Sequence, residues 1–185
     1  MGTTITVEEL EEMYANPDVA FKRARWVTLE EASLLNTITQ DFKPDYIFES
    51  GTANGFSTLW LSLYGAPVYT FDPVSRAKTW DNLQGGTPSN ITYYQRPFED
   101  LPQILSELKG SKSLFFVDGL HTSKGMQADC AAVLEHAEEG DTVIFHDLNI
   151  AACVRAFHRM LKYSLKDEVY ATKRIMGRII LNGTS

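Results

Sequence analysis

Carboxylates and histidines follow several short apolar runs of this 185-residue chain, where they could hold a ligand together. Five segments share this placement: residues 49–55, 72–73, 96–100, 118–121 and 146–149. Ionised carboxylates accept hydrogen bonds from hydroxyls and amines, bind divalent cations and take part in proton transfer. The pattern predicts a ligand site built from these segments, although polar residues after apolar runs can also serve solubility alone.

The first of these segments lies in FESGTANGFST, residues 48–58, and its composition limits which ligand it can hold. A dinucleotide loop would read G-x-G-x-x-G and a Walker loop would place Lys and Ser or Thr after a glycine, and neither pattern is present. Glu49 puts a negative charge where a phosphate would rest. The loop therefore disfavours an anion and favours a ligand that carries an amine or another cation, such as S-adenosylmethionine.

Two later segments have residues suited to a nucleoside. Asp72 ends an apolar run about twenty residues after the loop, where a carboxylate can accept both ribose hydroxyls. Because Pro73 follows it, Asp72 can also be a helix N-cap, and both roles can hold at once. Phe98 and Glu99 are predicted to line an adenine pocket by apolar contact and backbone hydrogen bonds, while a core position is the alternative for Phe98.

Helical and strand patterns alternate along the chain. Thr28-Leu29-Glu30-Glu31 forms a capping box that opens a helix to about Thr39. Further helices are predicted over residues 56–64, 76–83, 101–108, 127–137 and 154–163. Apolar runs typical of buried parallel strands cover residues 46–48, 68–71, 91–95, 114–117 and 142–145. Residues 168–175 and 178–181 are predicted to form a hairpin around Met176-Gly177.

This order predicts an α/β fold, a Rossmann-like doubly wound sheet that is mostly parallel and ends in a C-terminal antiparallel hairpin. Ligands of such sheets bind beyond the carboxyl ends of the strands. We expect residues 1–185 to form a single domain, with residues 1–27 as an N-terminal extension. That extension could be a cover over the site, a dimer contact or an ordinary packed helix.

Charge and hydropathy exclude several classes of partner. The chain has 17 Lys and Arg against 24 Asp and Glu, a formal net charge of −7, which disfavours nucleic acid and anionic membrane surfaces. No basic segment followed by an apolar one begins the sequence, and no apolar run approaches membrane-spanning length. We therefore expect a cytoplasmic protein whose partner is a small molecule.

Four ordered motifs resemble those of the class I S-adenosylmethionine-dependent methyltransferases: FESGTANGFSTLWLS, TFDP, FFVDGLH and VIFHDLN. The resemblance spans about residues 28–181 and is greatest to small O-methyltransferases, whose first motif, E-x-G-x-x-x-G-x-S, matches Glu49, Gly51, Gly55 and Ser57. It implies an S-adenosylmethionine site in which the first loop shapes the methionine end and Asp118 lies beside the methyl donor. The predicted cofactor-binding residues are Glu49, Gly51, Thr52, Gly55, Ser57, Asp72, Phe98, Glu99 and Asp118.

The resemblance also implies a metal and a base. DGLH resembles the Asp-x-x-His of sugar, macrolide and cephalosporin-type enzymes, in which the Asp is a metal ligand and the His is a general base, here His121. Strands four and five are adjacent in that fold, so Asp118, His146 and Asp147 are the predicted ligands of Mg²⁺ or Mn²⁺. Catechol-type enzymes have Asp followed directly by Asn, whereas Leu148 intervenes here.

An imidazole ligand weakens the preference for Mg²⁺ and admits Mn²⁺, Fe²⁺ or Zn²⁺. The alternative is that His146 caps the strand end and Asp147 orders a loop. His136 and His158 are predicted to be exposed helix residues.

The expected function is methyl transfer to a hydroxyl of a small molecule, a sugar or an aromatic diol, with the help of a divalent metal. The alternatives are a metal-independent N-methyltransferase on the same fold and a non-catalytic S-adenosylmethionine-binding protein. A homodimer is possible in each case.

Overall fold

Seven strands form one sheet in the computed structural model, which describes residues 6–15, 27–74 and 87–183. The strands are β1 (Tyr46–Ser50), β2 (Val68–Phe71), β3 (Ile91–Tyr94), β4 (Ser113–Val117), β5 (Thr142–Phe145), β6 (Ser164–Tyr170) and β7 (Met176–Leu181). Their spatial order is β3-β2-β1-β4-β5-β7-β6, in which β1 to β5 are parallel and β7 runs antiparallel to both β5 and β6. The predicted doubly wound sheet with an antiparallel C-terminal end is thus confirmed.

Six α-helices accompany the sheet in the described residues. They are α1 (Val7–Ala15), α2 (Leu29–Phe42), α3 (Phe56–Ser62), α4 (Leu101–Ile104), α5 (Ser123–His136) and α6 (Ala151–Met160). The predicted capping box is present at α2, since Thr28 Oγ1 accepts from Glu31 N at 3.3 Å and Glu31 Oε2 accepts from Thr28 N at 2.7 Å. Two orphan N–H groups of the first turn are thereby satisfied.

Both faces of the sheet are covered, which explains why its central strands are almost wholly apolar. On one face Phe48 and Phe115 pack with residues of α4, α5 and α6. On the other face Ile47 and Leu114, their chain neighbours, pack with α1, α2 and α3, including the buried Trp60. Alternate side chains of one strand therefore enter two separate cores.

The predicted turn of the C-terminal hairpin is wrong. Met176 and Gly177 lie inside β7, and the chain turns over residues 171–175. Gly177 pairs with Phe145 of β5, and a β-carbon at Gly177 would lie 2.5 Å from the Phe157 ring. The glycine is required by close packing of α6 on the strand and not by a turn.

Two other predicted helices differ from the structure or fall outside it. The helix predicted over residues 101–108 is wrong beyond Ile104, because Leu105 has left the helical region, at φ −124° and ψ 32°, and only a 3₁₀ turn (Ser106–Leu108) follows. The helix predicted over residues 76–83 lies outside the described residues.

Helix α1 packs against α3, and Leu10 is buried in the same core as α2. Within the N-terminal segment, α1 is thus a packed helix, while residues 1–5 and 16–26 lie outside the described part and the three expectations for residues 1–27 stay predictions. A single domain over the whole chain stays a prediction. None of the described helices is long and apolar enough to cross a membrane.

Candidate active site at the carboxyl ends of the strands

A cavity of about 350 Å³ opens at the carboxyl ends of β1, β2 and β4. Five of the predicted cofactor residues line it: Gly51, Asp72, Phe98, Glu99 and Asp118. A smaller adjoining cavity shares Gly51 and Asp118 with it and is also lined by Thr52 and Ser57. The predicted residues of four separate segments are thus brought to one place, as the fold class requires.

Positive φ angles shape the loop after β1. Gly51 has φ +94°, and a β-carbon there would lie 2.4 Å from the carbonyl oxygen of Asp118. Gly55 has φ +74° and is the N-cap residue of α3. Only glycine combines such a φ with so close an approach of two backbones, so Gly51 has a steric cause, and Gly55 is favoured by its φ.

Glu49 is fully buried beneath this loop and does not line either cavity. Its carboxylate accepts from Ser57 Oγ at 2.5 Å, from Thr70 Oγ1 at 2.6 Å and from the Thr58 hydroxyl. Burial raises the pKa of Glu49 to about 7, against the lowering effect of the three hydroxyl donors. Glu49 therefore holds the loop and the start of α3 through these hydrogen bonds.

Asp72 joins the first two loops of the site. Its Oδ2 accepts from Ala53 N at 3.0 Å and its Oδ1 accepts from Val74 N at 2.9 Å. The second of these bonds has the N-capping geometry expected for Asp72 before Pro73, although the helix predicted beyond it is not in the described residues.

Asp118, His121 and Asp147 form an acidic cluster beside the large cavity. His121 Nε2 lies 3.1 Å from Asp118 Oδ1 and 3.5 Å from Asp147 Oδ2, and one donor atom from each residue falls within 4.8 Å of the other two. β4 and β5 are paired, with Val117 opposite Phe145, so the residues that follow them meet at one edge. The predicted proximity of Asp118 and Asp147 has this register as its cause.

His146 lies behind the cluster and is completely buried. Its Nδ1 is 3.2 Å from Asp118 Oδ1 and 3.4 Å from Asp147 Oδ2, while Nε2 is 3.3 Å from Glu31 Oε2, without a well-aligned hydrogen bond. Burial alone lowers the pKa of His146, but the charge of Asp118 and the contacts with Asp118, Asp147 and Glu31 outweigh it and raise the pKa to about 12. The surrounding carboxylates thus favour the charged form of the ring over the neutral form.

Glu31 is a site residue that the sequence gives only as part of a capping box. It is fully buried, and its Oε1 accepts from Arg174 N at 2.7 Å. Burial raises its pKa, but the contact with His146 and the hydrogen bonds of the Thr28 and Arg174 backbones lower it to about 2. Glu31 comes from α2, far from the strand ends along the chain, and no spacing rule connects it to His146.

The sequence analysis missed Asp129 and placed His136 wrongly. Asp129 of α5 lines the large cavity and accepts from Ser50 Oγ at 2.7 Å, and no motif pointed to it. His136 was predicted to be exposed, which is wrong, because it is 2% exposed and its ring lies edge-on to Phe48 at 4.9 Å. His158 is exposed as predicted.

The doubly wound sheet, the nucleoside-sized cavity at its carboxyl edge and this first loop are those expected of a class I methyltransferase. The chain belongs to the methyltransferase domain family, whose model matches residues 48–148. This confirms the resemblance to S-adenosylmethionine-dependent methyltransferases. No curated protein matches the chain by sequence.

Solved structures confirm the fold at low sequence identity. A candidate O-methyltransferase from Klebsiella pneumoniae is 17% identical, with a TM-score of 0.74 over 94% of this chain and 90% of that one. The O-methyltransferase TomG from Streptomyces achromogenes, in complex with SAM, is 16% identical, with a TM-score of 0.68 over 97% and 92%. An O-methyltransferase from Bacillus cereus, in complex with SAH, is 17% identical, with a TM-score of 0.65 over 95% and 92%.

Proposed function

We propose that the protein transfers the methyl group of S-adenosylmethionine to a hydroxyl of a small sugar or aromatic diol, with the assistance of a divalent cation. The observation that carries this proposal is that the Asp118, His121 and Asp147 cluster shares Asp118 with the cofactor cavity. An acceptor held at the cluster lies next to a methyl donor held in the cavity. Structural neighbours described as O-methyltransferases support the choice of oxygen.

The cofactor would lie along the strand ends. Gly51, Thr52, Gly55 and Ser57 form the methionine end, where Glu49 supports the loop from below. Asp72, whose two carboxylate oxygens accept from Ala53 N and Val74 N, is the proposed partner of the ribose hydroxyls. Phe98 and Glu99 line the part left for the base.

The residues of the cluster fit a divalent cation. The carboxylates of Asp118 and Asp147 offer oxygen donors within 4.8 Å of each other that suit Mg²⁺ or Mn²⁺, and the proposal keeps the His121 imidazole for proton transfer. Both ring nitrogens of His146 already face carboxylates, so in this proposal His146 positions Asp118 and Asp147 and does not itself ligate. The MycE methyltransferase, described in complex with Mg and SAH, has a TM-score of 0.65 at 12% identity, and this chain spans 56% of its length.

The reaction is an in-line substitution. The acceptor oxygen forms a bond to the methyl carbon as the carbon–sulfur bond breaks, S-adenosylhomocysteine leaves, and the hydroxyl proton passes to the His121 ring at Nδ1, because Nε2 donates to Asp118. When bound at Asp118 and Asp147, a divalent cation would lower the pKa of that hydroxyl. The hydrogen bond to Asp118 raises the pKa of His121, which makes the ring a better proton acceptor.

Orientation and proton transfer contribute unequally to the rate. Holding donor and acceptor on one axis can supply about 7 to 11 kcal/mol of barrier reduction, whereas a general base contributes about 10² to 10⁴ in rate. Loss of His121 should therefore slow turnover and leave cofactor binding intact.

One observation favours a second candidate, metal-independent transfer to nitrogen or cofactor binding without catalysis. The buried His146 cation lies within 3.4 Å of both Asp118 and Asp147 and offsets part of their charge without a metal. In that case the cluster would be a structural ion-pair network.

Two measurements separate these functions. Calorimetry with S-adenosylhomocysteine tests the cofactor, and mass spectrometry of aromatic diols and sugars incubated with S-adenosylmethionine, with Mn²⁺, Mg²⁺ or EDTA, tests the transfer. We expect activity with Mn²⁺ or Mg²⁺ that EDTA abolishes, and a loss of about 10² to 10⁴ in kcat for His121→Ala. His158→Ala, at an exposed position of α6, is the matched control. Cofactor binding without any response to metal would favour the second candidate.

The same variants distinguish a base from a ligand at position 121. If His121→Ala lost the increase in melting temperature that Mn²⁺ gives the wild type, as Asp147→Asn should, His121 would be a third metal ligand. Retained stabilisation by Mn²⁺ with slow turnover would support the base.

A further inference from the structure

A buried carboxylate behind the acidic cluster joins three segments of the chain. Glu31 of α2 is fully buried and lines neither of the two cavities described above. Its Oε2 accepts from Thr28 N at 2.7 Å and lies 3.3 Å from His146 Nε2, while its Oε1 accepts from Arg174 N at 2.7 Å. A capping box requires only the first of these contacts, so the other two need a different explanation.

The contact with His146 links Glu31 to the cluster. The ring Nε2 faces Glu31, and the ring Nδ1 lies 3.2 Å from Asp118 Oδ1 and 3.4 Å from Asp147 Oδ2. The ring of Phe116 lies edge-on to the imidazole at 6.1 Å between centroids, an apolar contact that offers neither nitrogen a partner. The partner of one imidazole nitrogen determines where the other nitrogen points. Glu31 therefore sets the direction in which Nδ1 meets the two aspartates.

The contact with Arg174 holds the turn between β6 and β7. Ile175 in this turn has φ +55°, a conformation that is rare for a β-branched residue and persists only where the surroundings impose it. Glu31 holds the turn through Arg174 N, and Leu148 N holds it by donating to Ile175 O at 3.0 Å. The turn in turn keeps Arg174 Nε 3.9 Å from Asp147 Oδ1. Asp147 thus has a second neighbour whose position depends on Glu31.

We propose that Glu31 is a positioning residue of the metal site, which acts through His146 to hold the two aspartates in the arrangement that binds a divalent cation. The proposal rests on the proposed function, because it takes Asp118 and Asp147 to be the ligands. Glu31 itself touches neither the cation nor the cofactor. Partners that lie behind metal ligands orient them, and their loss typically costs about 10- to 100-fold in metal affinity.

The first test measures Mn²⁺ binding by the wild type and by Glu31→Gln at pH 7.5. Glutamine has the size of glutamate and is accepted at this position of a capping box, but it presents no carboxylate to His146. Electron paramagnetic resonance of free Mn²⁺ gives the Kd of the metal, and calorimetry gives the Kd and the stoichiometry of S-adenosylhomocysteine. We expect Glu31→Gln to lose about 10- to 100-fold in Mn²⁺ affinity. The Kd of S-adenosylhomocysteine should stay unchanged, because Glu31 lines neither cavity.

Glu30→Gln is the matched control, since it removes the same charge from the same turn of α2 at an exposed position. It should retain both affinities. The stoichiometry of S-adenosylhomocysteine reports the folded fraction of each variant, so a loss of folded protein is not counted as a loss of affinity. Unchanged Mn²⁺ affinity in Glu31→Gln, or equal weakening of both ligands, would overturn the inference and leave Glu31 as a structural cap.

A double-mutant cycle with His146→Gln tests the route through the ring. If Glu31 acts through His146, then Glu31→Gln should change the Mn²⁺ affinity by less than about 2-fold when His146→Gln is already present. The same loss in both backgrounds would overturn the inference, because the effect would then come from the turn or from the lost charge alone. A wild type that binds S-adenosylhomocysteine but no Mn²⁺ would refute both this inference and the metal-assisted part of the proposed function.

Discussion

His136 is a buried histidine whose surroundings are apolar. Its ring lies between Phe48 and Phe115, at 4.9 and 6.1 Å between centroids, and its Nε2 has no hydrogen-bond partner in the described residues. Burial, followed by the charge of Lys109, lowers the pKa of His136 below its ordinary value of 6.5. The folded state therefore holds this ring neutral at pH values where the unfolded chain would protonate it.

We expect this histidine to weaken the fold at acidic pH. Since the unfolded state binds the extra proton, the contribution of His136 to stability is present above pH 6.5 and is lost as the pH falls below it. Urea unfolding of the wild type and of His136→Phe at pH 7.5 and 5.5 measures the effect, and the loss of stability between the two pH values should be smaller in the variant. His158→Phe is the control, because it removes an exposed imidazole and should leave the pH dependence of stability as it is in the wild type. Identical losses in the wild type and His136→Phe would contradict the assignment.

Individual site residues were predictable from sequence only where a strand end or a motif places them. Asp118, His121 and Asp147 lie together because each follows one of two paired strands, and their meeting was expected. Glu31 and Asp129 reach the site from helices. No sequence pattern predicts which residue the side chain of a capping glutamate or of a helical aspartate contacts. The roles of all these residues stay predictions until the variants are measured.

The loop after β1 is the element on which the cofactor site depends, and two glycines of similar backbone geometry test it. In Gly51→Ala the alanine is forced into the left-handed region, and its β-carbon clashes with Asp118 O at 2.4 Å. Gly65, at φ +93°, has nothing within 4 Å of an added β-carbon, so Gly65→Ala adds only the backbone strain. We expect Gly65→Ala to lower the free energy of unfolding by about 1 to 2 kcal/mol and to leave S-adenosylhomocysteine binding unchanged. Gly51→Ala should lose a further 1 to 3 kcal/mol, roughly, together with cofactor affinity.

Urea unfolding and calorimetry on the two variants give both quantities. Similar binding by Gly51→Ala and Gly65→Ala would show that the close contact of the two loops is not needed by the ligand.

The parallel strands were the most predictable elements, because strands buried on both faces are short, apolar and bounded by polar loops. β2 and β5 have the predicted bounds. Helix α5 begins at Ser123, before its predicted start near residue 127, because Thr122 caps it through Gly125 N and the first turn is polar. The sequence pattern likewise could not separate a glycine required by packing, Gly177, from one required by a turn.

At the scale of the whole molecule, the resemblance gave only the adjacency of strands four and five, and the pattern of elements does not specify which other strands pair. The attachment of the N-terminal helix was left open by the sequence. Leu10 is completely buried against the helices of one sheet face, so α1 is part of that core.

This attachment predicts the effect of shortening one side chain. We expect Leu10→Ala to lower the free energy of unfolding by about 2 to 5 kcal/mol while the Kd for S-adenosylhomocysteine stays unchanged. Glu11→Ala, an exposed neighbour on α1, should change stability by less than about 0.5 kcal/mol. Denaturation curves and calorimetry decide the matter: unchanged stability in Leu10→Ala with altered ligand kinetics would instead make this segment a cover.

The last strand in the sheet order, β6, leaves one of its edges without a neighbouring strand in the described structure. Leu165 and Val169 of β6 are each 59% exposed, and an apolar edge of this kind can recruit the same strand of another molecule. Lys166, Asp167 and Glu168 stand between those two side chains and oppose such recruitment by their charge and hydration. Because dissolved salt screens exposed charges, we expect aggregation through this edge to be strongest at high protein concentration and high ionic strength.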